Sequence, residues 1–344
     1  MTRDLATTTD GRNLDPQLTR LEGEAAQLKV KHPDEAFPTR DRLFPHLPSI
    51  ESELSQPTYY EQPVVKEPVW VWTIPAYFFV GGTAGALSLF GASLDLFGRD
   101  EPLAKRCHRL AFVGDVLSAG LLIYDLGRPL RFFNMLRVFR PSSPMSVGSW
   151  VLTGSGATNT LAALPLGALS KAAGFVGGLL GIPLAGYTGV LIANTAIPVW
   201  NATRRTLPPL FMASSLASAG SILQLLSSSE RSRTTARRLT QLGQVSELAL
   251  SAALHVEARR SGRPARALTR GLTGALLGAA AALTATSLVS SLLPGAPRRR
   301  RTSALLGAAG ALALRFGLFH AGKASARDPR ATFAPQRRRL DESA

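Results

Sequence analysis

Long stretches without charged residues, separated by short clusters of arginine, dominate the chain from residue 72 onwards. Residues 146–169, for example, contain no Asp, Glu, Lys or Arg. A helix needs about 20 mostly apolar residues to cross the hydrocarbon core of a bilayer, whereas a helix of a soluble bundle carries charged residues along its outer face. These stretches therefore favour a polytopic membrane protein over a soluble helical bundle.

Eight such stretches predict an all-α integral membrane protein, an eight-transmembrane-helix bundle. Six are clearly apolar, and the two at 239–256 and 303–321 are shorter or more polar. The other predicted spans are 72–97, 108–127, 146–169, 173–197, 208–227 and 268–293. Glycines spaced four residues apart let helix backbones approach closely. Such packing is predicted for the pairs Gly81 and Gly85, Gly177 and Gly181, and Gly274 and Gly278.

The two ends of the chain are polar. The first 70 residues hold eight Lys or Arg and twelve Asp or Glu, whereas the whole chain has a formal net charge of +16. Their mixed charge, frequent proline and weak apolar periodicity predict a disordered N-terminal tail over residues 1–70. This tail lacks the features of a signal peptide, so we expect no cleavage there. The transmembrane domain is expected over residues 71–322, and a polar C-terminal tail over residues 323–344.

Composition excludes several classes of function. The positive charge lies in short clusters between apolar stretches, which is typical of a membrane protein and not of a nucleic-acid-binding face. The single cysteine, Cys107, excludes a disulfide framework and a thiolate-held iron–sulfur cluster or Cys-rich zinc site in this chain. His255 and His320 lie at the polar ends of their spans, so we expect no haem and no other metal site. If electrons pass through this chain, other subunits hold the metal.

Polar and aromatic residues concentrate at one predicted membrane face. Eight spans bring together the start of the first span, the end of the second, the start of the third, the end of the fourth and the start of the fifth. The segments at these places are VWTIPAYFF (71–79), YDLGRPLRFFNMLRVFRPSSPMSVGSW (124–150) and NTAIPVWNATRRTLPPLF (194–211). An interfacial aromatic belt with snorkelling arginines explains the single tryptophans. It explains the pair of Asp125 and Arg128 less well.

These three segments, together with the closing SARDPRATFAPQR, resemble the NrfD-like family, the membrane subunits of polysulfide reductase and related molybdenum oxidoreductases. The resemblance covers residues 57 to about 337. It implies an eight-helix subunit of the bacterial inner or plasma membrane that binds a menaquinone-type quinone and carries no prosthetic group of its own. The partners that it implies are a ferredoxin-like iron–sulfur subunit and a molybdopterin catalytic subunit.

A quinone site has chemical requirements that can be compared with these residues. Conversion to quinol takes two electrons and two protons, so the headgroup needs hydrogen-bond donors and a titratable path, while its tail stays in lipid. Asp125 can accept or pass protons beside cationic neighbours, and Tyr77 can donate to a carbonyl oxygen. The predicted quinone-binding residues are Tyr77, Asp125, Arg128, Arg131, Asn134 and Asn194.

A basic loop is equally suited to docking an acidic electron carrier. We assign the docking role to Arg137, Arg140, Arg204 and Arg205. For Asp125, Arg128, Arg131 and Asn134 the choice between quinone contact and docking remains open.

Ionisable residues inside spans are functional candidates by default. Asp95, Asp115 and Glu247 are expected either to form a proton path or to fix helix packing by pairing with polar neighbours. His108, at the predicted start of the second span, is interpreted as an interfacial residue.

Two other functions compete with the quinone-reactive subunit. A transporter would use broken helices near the midplane, and Pro183 within the fourth span favours this reading. A purely structural anchor without a working quinone site is the other alternative. Sidedness stays open, because the short loops hold eleven Lys or Arg on the tail-side face and twelve opposite.

Overall fold

The computed structural model describes residues 65–227, 229–293, 296–329 and 331–332. Within these residues the secondary structure is entirely helical, as predicted for an all-α protein. The eight long helices are α1 (Thr73–Leu96), α2 (Glu101–Asp125), α3 (Pro144–Ala163), α4 (Ala168–Ala193), α5 (Leu207–Leu226), α6 (Glu230–Arg260), α7 (Gly271–Leu292) and α8 (Pro297–Ala326). The predicted disordered tail, up to residue 64, and the C-terminal tail from residue 333 lie outside the described residues.

Short helices occupy the connections at the end of the molecule where α1 begins. Arg131–Arg137 lies between α2 and α3, and Pro198–Ala202 lies between α4 and α5. A 3-10 turn, Arg263–Ala265, and the short helix Arg266–Thr269 connect α6 to α7. The predicted polar face is therefore built largely from short helices.

Six of the long helices are long and apolar enough to cross a membrane, by length and composition alone. They are α1, α2, α4, α5, α7 and α8. The other two are more polar, because α3 is rich in Ser, Thr and Gly and α6 carries charged residues in its first and last turns. The predicted number of eight spans stays a prediction.

Several helices begin earlier than the hydropathy of the sequence indicates. The second helix begins at Glu101, seven residues before the predicted position 108, because Asp100 accepts a hydrogen bond from the backbone N–H of Leu103 at 3.3 Å. Ser229 caps the sixth helix in the same way, through the N–H of Ser232 at 3.1 Å. Capping residues satisfy exposed backbone donors at helix N-termini. Hydropathy does not detect them, since the first turns that they stabilise are polar.

The long helices form two four-helix bundles with the same pattern of neighbours. In bundle one, α1 and α3 each pack against α2 and α4. In bundle two, α5 and α7 each pack against α6 and α8. The two bundles meet where α5 contacts α1 and α4, and where α8 contacts α1. Residues from both ends of the chain therefore contribute to this junction.

Glycines allow α1 and α4 to approach closely, as predicted from their spacing. A Cβ atom on Gly85 would lie 2.7 Å from the carbonyl oxygen of Gly181, and a Cβ atom on Gly181 would lie 2.4 Å from the carbonyl oxygen of Gly85. The same prediction is wrong for Gly278, because a Cβ atom there would meet no atom within 4 Å.

The segment before α1 is attached to the end of α8. The indole of Trp70 stacks on that of Trp200, with ring centroids 6.2 Å apart. Glu67 accepts two hydrogen bonds from the guanidinium of Arg327, at 2.7 and 2.8 Å, and lies 3.7 Å from the ammonium of Lys323. The hydrogen bond from Arg327 to Glu67 raises the pKa of this guanidinium above its usual value. These contacts hold the entry of α1 against bundle two.

Candidate functional site

The end of α2 is tied to the start of α1 at the rim of bundle one. Asp125 Oδ1 accepts hydrogen bonds from the backbone N–H of Val71 at 3.2 Å and from the hydroxyl of Thr73 at 3.4 Å. The carboxylate is half-buried. These hydrogen bonds help to hold the carboxylate of Asp125 against the start of α1.

Two tyrosines lie one layer deeper. Tyr77, one turn after Thr73, is only 2% exposed, and Tyr187 of α4 is buried close enough to interact with it electrostatically. The ring of Tyr187 packs on Gly148 of α3, where a Cβ atom would lie 1.8 Å from the ring carbon Cζ. Only glycine leaves room for a phenol at this place.

Ser118 of α2 and the ring of Tyr77 both approach Gly81 of α1. A Cβ atom on Gly81 would lie 3.1 Å from Tyr77 Cε2 and 3.2 Å from Ser118 Oγ. Ser118 Oγ is buried and has no hydrogen-bond partner among the described residues. This hydroxyl is therefore available to a group that enters next to Tyr77.

Asp115 occupies the middle of bundle one. It lies ten residues from Asp125 along α2, which corresponds to about 15 Å. Its Oδ2 atom accepts hydrogen bonds from Asn159 Nδ2 at 2.8 Å and from Ser155 Oγ at 3.0 Å. Its Oδ1 atom is buried without a hydrogen-bond partner in the described part of the chain. One oxygen of this carboxyl group is thus held by α3, and the other is open to a further donor.

The polar interior of bundle one continues towards the opposite end. Asn159 Oδ1 accepts a hydrogen bond from Ser88 Oγ at 2.8 Å. Gly177 of α4 faces this pair, and Gly174, one turn along α4, faces His108 and Asp95. The side chains from Asp125 through Tyr77 and Asp115 to Asp95 form a series of polar layers, which we call the polar column.

His108 and Asp95 form the last layer of the polar column. The ring atom Nε2 of His108 lies 2.9 Å from Asp95 Oδ2, and His108 is only 2% exposed. The interpretation of His108 as an interfacial residue is therefore wrong. Because α2 begins seven residues before its predicted start, His108 lies about two turns inside the helix.

Glu247, the third predicted member of a proton path, belongs to bundle two. Its Oε1 atom accepts a hydrogen bond from Thr284 Oγ1 at 2.8 Å, and it interacts electrostatically with Arg315.

Arg315 was not predicted from the sequence. It is 1% exposed in the interior of α8. Its Nη2 atom donates to the carbonyl oxygen of Phe211 at 2.7 Å, and its guanidinium lies 3.9 Å from the centroid of that ring. This residue could have been identified from the sequence, because it is a charged residue inside an otherwise apolar stretch.

The loop between α2 and α3 folds back onto α3. Ser149 Oγ lies 3.7 Å from the sulfur of Met135, and Phe139 packs edge-on against Trp150 with ring centroids 6.3 Å apart. The remaining predicted quinone residues are at the surface here or at the end of α4, since Asn134, Arg128 and Asn194 are exposed and Arg131 is half-buried. Of the six predicted quinone residues, Tyr77 is therefore buried and Asp125 and Arg131 are half-buried, whereas the other three are exposed.

A cavity of about 390 Å³ lies on the same face beside the loop between α4 and α5. Arg204 and Arg205 line it, together with Glu257 and Arg260 from the end of α6. The backbone N–H groups of Arg205 and Thr206 donate to the carboxylate of Glu257 at 3.3 and 3.1 Å. These bonds fix the loop and leave the side chains of Arg204 and Arg205 exposed. Arg137 and Arg140, the other predicted docking residues, are exposed on the loop before α3.

Within the described residues, no group of three or more His, Cys, Asp or Glu side chains is placed to hold a metal ion.

Comparison with known proteins agrees with the architecture described above. No curated protein matches the chain. A family model described as polysulfide reductase matches residues 57–327, which is most of the chain. Members of this family are membrane subunits of oxidoreductase complexes and are generally associated with quinones. The chain is thus a multi-pass integral membrane protein that belongs to the NrfD-like polysulfide reductase family.

Proposed function

We propose that this chain exchanges electrons between a menaquinone-type quinone and an iron–sulfur partner subunit, which in turn serves a molybdopterin catalytic subunit. The quinone headgroup binds in the polar column below the rim of bundle one, between Asp125 and Asp115. The observation that carries this proposal is the polar column beneath Asp125, in which Tyr77 and Ser118 both approach Gly81. When bound, the quinone supplies a two-electron, two-proton couple.

The unpartnered polar atoms of the column match the needs of a quinone headgroup. Ser118 Oγ and Asp115 Oδ1 both lack hydrogen-bond partners within the described residues, and both are buried. A buried polar group without a partner costs about 1–3 kcal/mol, so a ligand that supplies a carbonyl or hydroxyl oxygen here gains that energy. The phenol of Tyr77 and the hydroxyl of Ser118 are the donors to such an oxygen.

Proton exchange falls to the carboxyl groups of the column. Asp115 lies deeper than Tyr77, and Asp125 lies at the rim, where the arginine-rich loop contacts water. A carboxylate at each side of the headgroup allows protons to move between the site and the surface. Asn159, Ser88 and the Asp95–His108 pair extend this path towards the opposite face. Glu247 lies in bundle two, where it interacts with Arg315, and is not part of this proposed path.

Partner docking uses the exposed arginines of the same face. Arg204 and Arg205 project from a loop that Glu257 holds in place, and Arg137 and Arg140 lie on the neighbouring loop. A fixed, positively charged surface favours association with an acidic electron carrier. It also places that carrier close to the rim of bundle one, which electron transfer requires.

The transporter alternative loses its main support. The fourth helix continues from Ala168 to Ala193 through Pro183, without the break near the midplane that such a binding site uses. A purely structural anchor remains the outcome if no quinone binds.

Equilibrium binding of a short-chain menaquinone analogue to the purified full-length chain tests the proposal. Wild-type protein is expected to bind saturably. Tyr77→Phe removes only the phenol hydroxyl, and the loss of one hydrogen bond of about 1 kcal/mol weakens binding roughly fivefold. Asp125→Asn keeps the shape of the rim and removes its charge, and we expect weaker binding here as well.

The neighbouring tyrosine supplies a matched control. Tyr124 lies next to Asp125 but is 68% exposed, so Tyr124→Phe is expected to leave the affinity unchanged. Absence of saturable binding to wild-type protein would remove the proposal in favour of a structural anchor. Equal effects of Tyr77→Phe and Tyr124→Phe would place the headgroup elsewhere.

A further inference from the structure

A second charged cavity lies at the end of bundle two that is opposite the proposed quinone site. It has a volume of about 180 Å³ and lies between the first turns of α6 and α8. Four arginines line it: Arg233, Arg237, Arg300 and Arg301. Glu230 is the acidic residue in this lining, and it pairs with Arg300 and, at 3.6 Å, with Arg233. The formal charge of the lining is therefore +3.

Two of these arginines have no acidic partner in the described part of the chain. Within the described residues, Arg237 and Arg301 make no ion pair, whereas Arg233 and Arg300 both contact Glu230. Both unpaired guanidinium groups border the same small cavity. An anion in this cavity would contact two charges that have no other partner there.

A buried hydroxyl group points to the same conclusion. Ser227 lines the cavity and is only 4% exposed, yet its Oγ atom has no hydrogen-bond partner in the described part of the chain. The backbone carbonyl of the same residue is occupied, because it accepts a hydrogen bond from Arg233 Nε at 2.9 Å. A buried donor without a partner is unfavourable unless a ligand satisfies it. The first turns of α6 and α8 add the positive ends of two helix dipoles.

The surroundings of the cavity identify the kind of anion. Leu226, next to Ser227, is 51% exposed, and Leu305, four residues after Arg301 on the same face of α8, is 55% exposed. Both leucines belong to helices that are apolar enough to cross a membrane. The cavity therefore lies where charged helix ends change to apolar helix surface, which is the level of lipid headgroups.

We propose that this cavity binds the phosphodiester headgroup of an anionic phospholipid. The phosphate oxygens accept hydrogen bonds from Arg237, Arg301 and the hydroxyl of Ser227. The acyl chains lie along the exposed surfaces of Leu226 and Leu305. Basic pockets between transmembrane helices recognise anionic headgroups in this way. The small volume encloses a phosphate group and is too small for a segment of a partner protein.

Native mass spectrometry of the full-length chain, titrated with phosphatidylglycerol, tests this site. Wild-type protein is expected to retain one tightly bound phosphatidylglycerol and to show no such binding of phosphatidylcholine. The double variant Arg237→Gln/Arg301→Gln removes both unpaired charges, and we expect at least about tenfold weaker binding. Arg237→Lys/Arg301→Lys keeps the charge and is expected to retain most of the affinity. Ser227→Ala is expected to weaken binding by a few-fold.

The opposite face of the molecule supplies the control. Arg266→Gln/Arg270→Gln removes the same charge from the connection between α6 and α7, and is expected to leave the affinity within about twofold of wild type. Equal losses in the two double variants would overturn the site, since they would show only a general effect of charge. Equal retention of phosphatidylcholine, or binding of inorganic phosphate as tight as that of the lipid, would overturn the assignment to a phospholipid. If Arg237→Gln/Arg301→Gln fails to fold, unchanged binding in Ser227→Ala overturns the proposal.

Discussion

Asn159 Nδ2 donates a hydrogen bond to Asp115 Oδ2 at 2.8 Å in the middle of bundle one. The other end of the same amide accepts a hydrogen bond from Ser88. One side chain of α3 thereby connects α2 to α1 across the bundle. Because each bond needs a particular rotation of its helix, this amide fixes how three helices face the polar column.

The first prediction concerns the stability that this amide provides. Asn159→Ala leaves Asp115 with the hydroxyl of Ser155 as its remaining donor and leaves Ser88 without its acceptor. We expect the free energy of unfolding in detergent to fall by about 1–3 kcal/mol, as for a buried polar group that loses its partner. Thr153→Ala, on the exposed side of α3, is the control and is expected to change stability by less than about 0.5 kcal/mol. Equal changes in the two variants would contradict a connecting role for Asn159.

The second prediction concerns the buried charge of bundle two. Arg315→Met leaves the carboxylate of Glu247 buried without the cation that interacts with it. Removing one member of a buried ion pair costs about 3–5 kcal/mol, whereas replacing both by apolar residues is often close to neutral. Glu247 and Arg315 make no direct hydrogen bond or ion pair within the described residues, so we expect a smaller loss here. We therefore expect Arg315→Met/Glu247→Leu to be more stable than Arg315→Met alone. Denaturant unfolding of the two single variants and the double variant measures this coupling, and additive losses would show that the two residues act independently.

The helices could be predicted from the sequence, because a bilayer imposes a length and a composition on each stretch. All eight predicted spans correspond to long helices, and the largest differences are at their ends. The sixth helix was predicted over 239–256 but extends from Glu230 to Arg260, since its polar first and last turns lower the hydropathy of the window. The helix ends depend on caps such as Ser229, which act through single hydrogen bonds.

The partners of the buried polar residues could not be predicted. Asp115 was identified as a candidate from its depth in a span, but its pairing with Asn159 depends on the rotation of two helices about their axes. The burial of His108 depends on where α2 begins, and that of Arg315 depends on how α8 packs against α5. Hydropathy indicates how deep a residue lies within a membrane span. It does not indicate the direction in which the side chain points.

The third prediction compares two glycines that the spacing of the sequence treats alike. A Cβ atom on Gly85 would lie 2.7 Å from backbone atoms of α4, whereas a Cβ atom on Gly278 would meet no atom within 4 Å. We expect Gly85→Ala to destabilise the protein by about 1–3 kcal/mol, because α1 and α4 must move apart. Gly278→Ala is expected to be neutral or to stabilise by up to about 1 kcal/mol through helix propensity. Thermal unfolding of both variants in one detergent provides the comparison, and destabilisation by Gly278→Ala would show that α7 packs differently from this structure.

The fourth prediction concerns the attachment of the segment before α1. Glu67→Gln removes the charge that binds Arg327 and Lys323 and is expected to cost no more than about 1 kcal/mol, because the guanidinium is 62% exposed. The hydrogen bond to Glu67 raises the pKa of Arg327, so the contribution of its charge is fully present at neutral pH and is lost only as the pH rises through the raised value. Since salt screens exposed charges, we expect the difference in stability between wild type and Glu67→Gln to shrink between low and high ionic strength.

Arg270→Gln, at the start of α7, is the control, because it also removes one surface charge. A difference for Glu67→Gln that stays the same at every salt concentration would mean that packing, such as the stack of Trp70 on Trp200, and not charge, holds this segment.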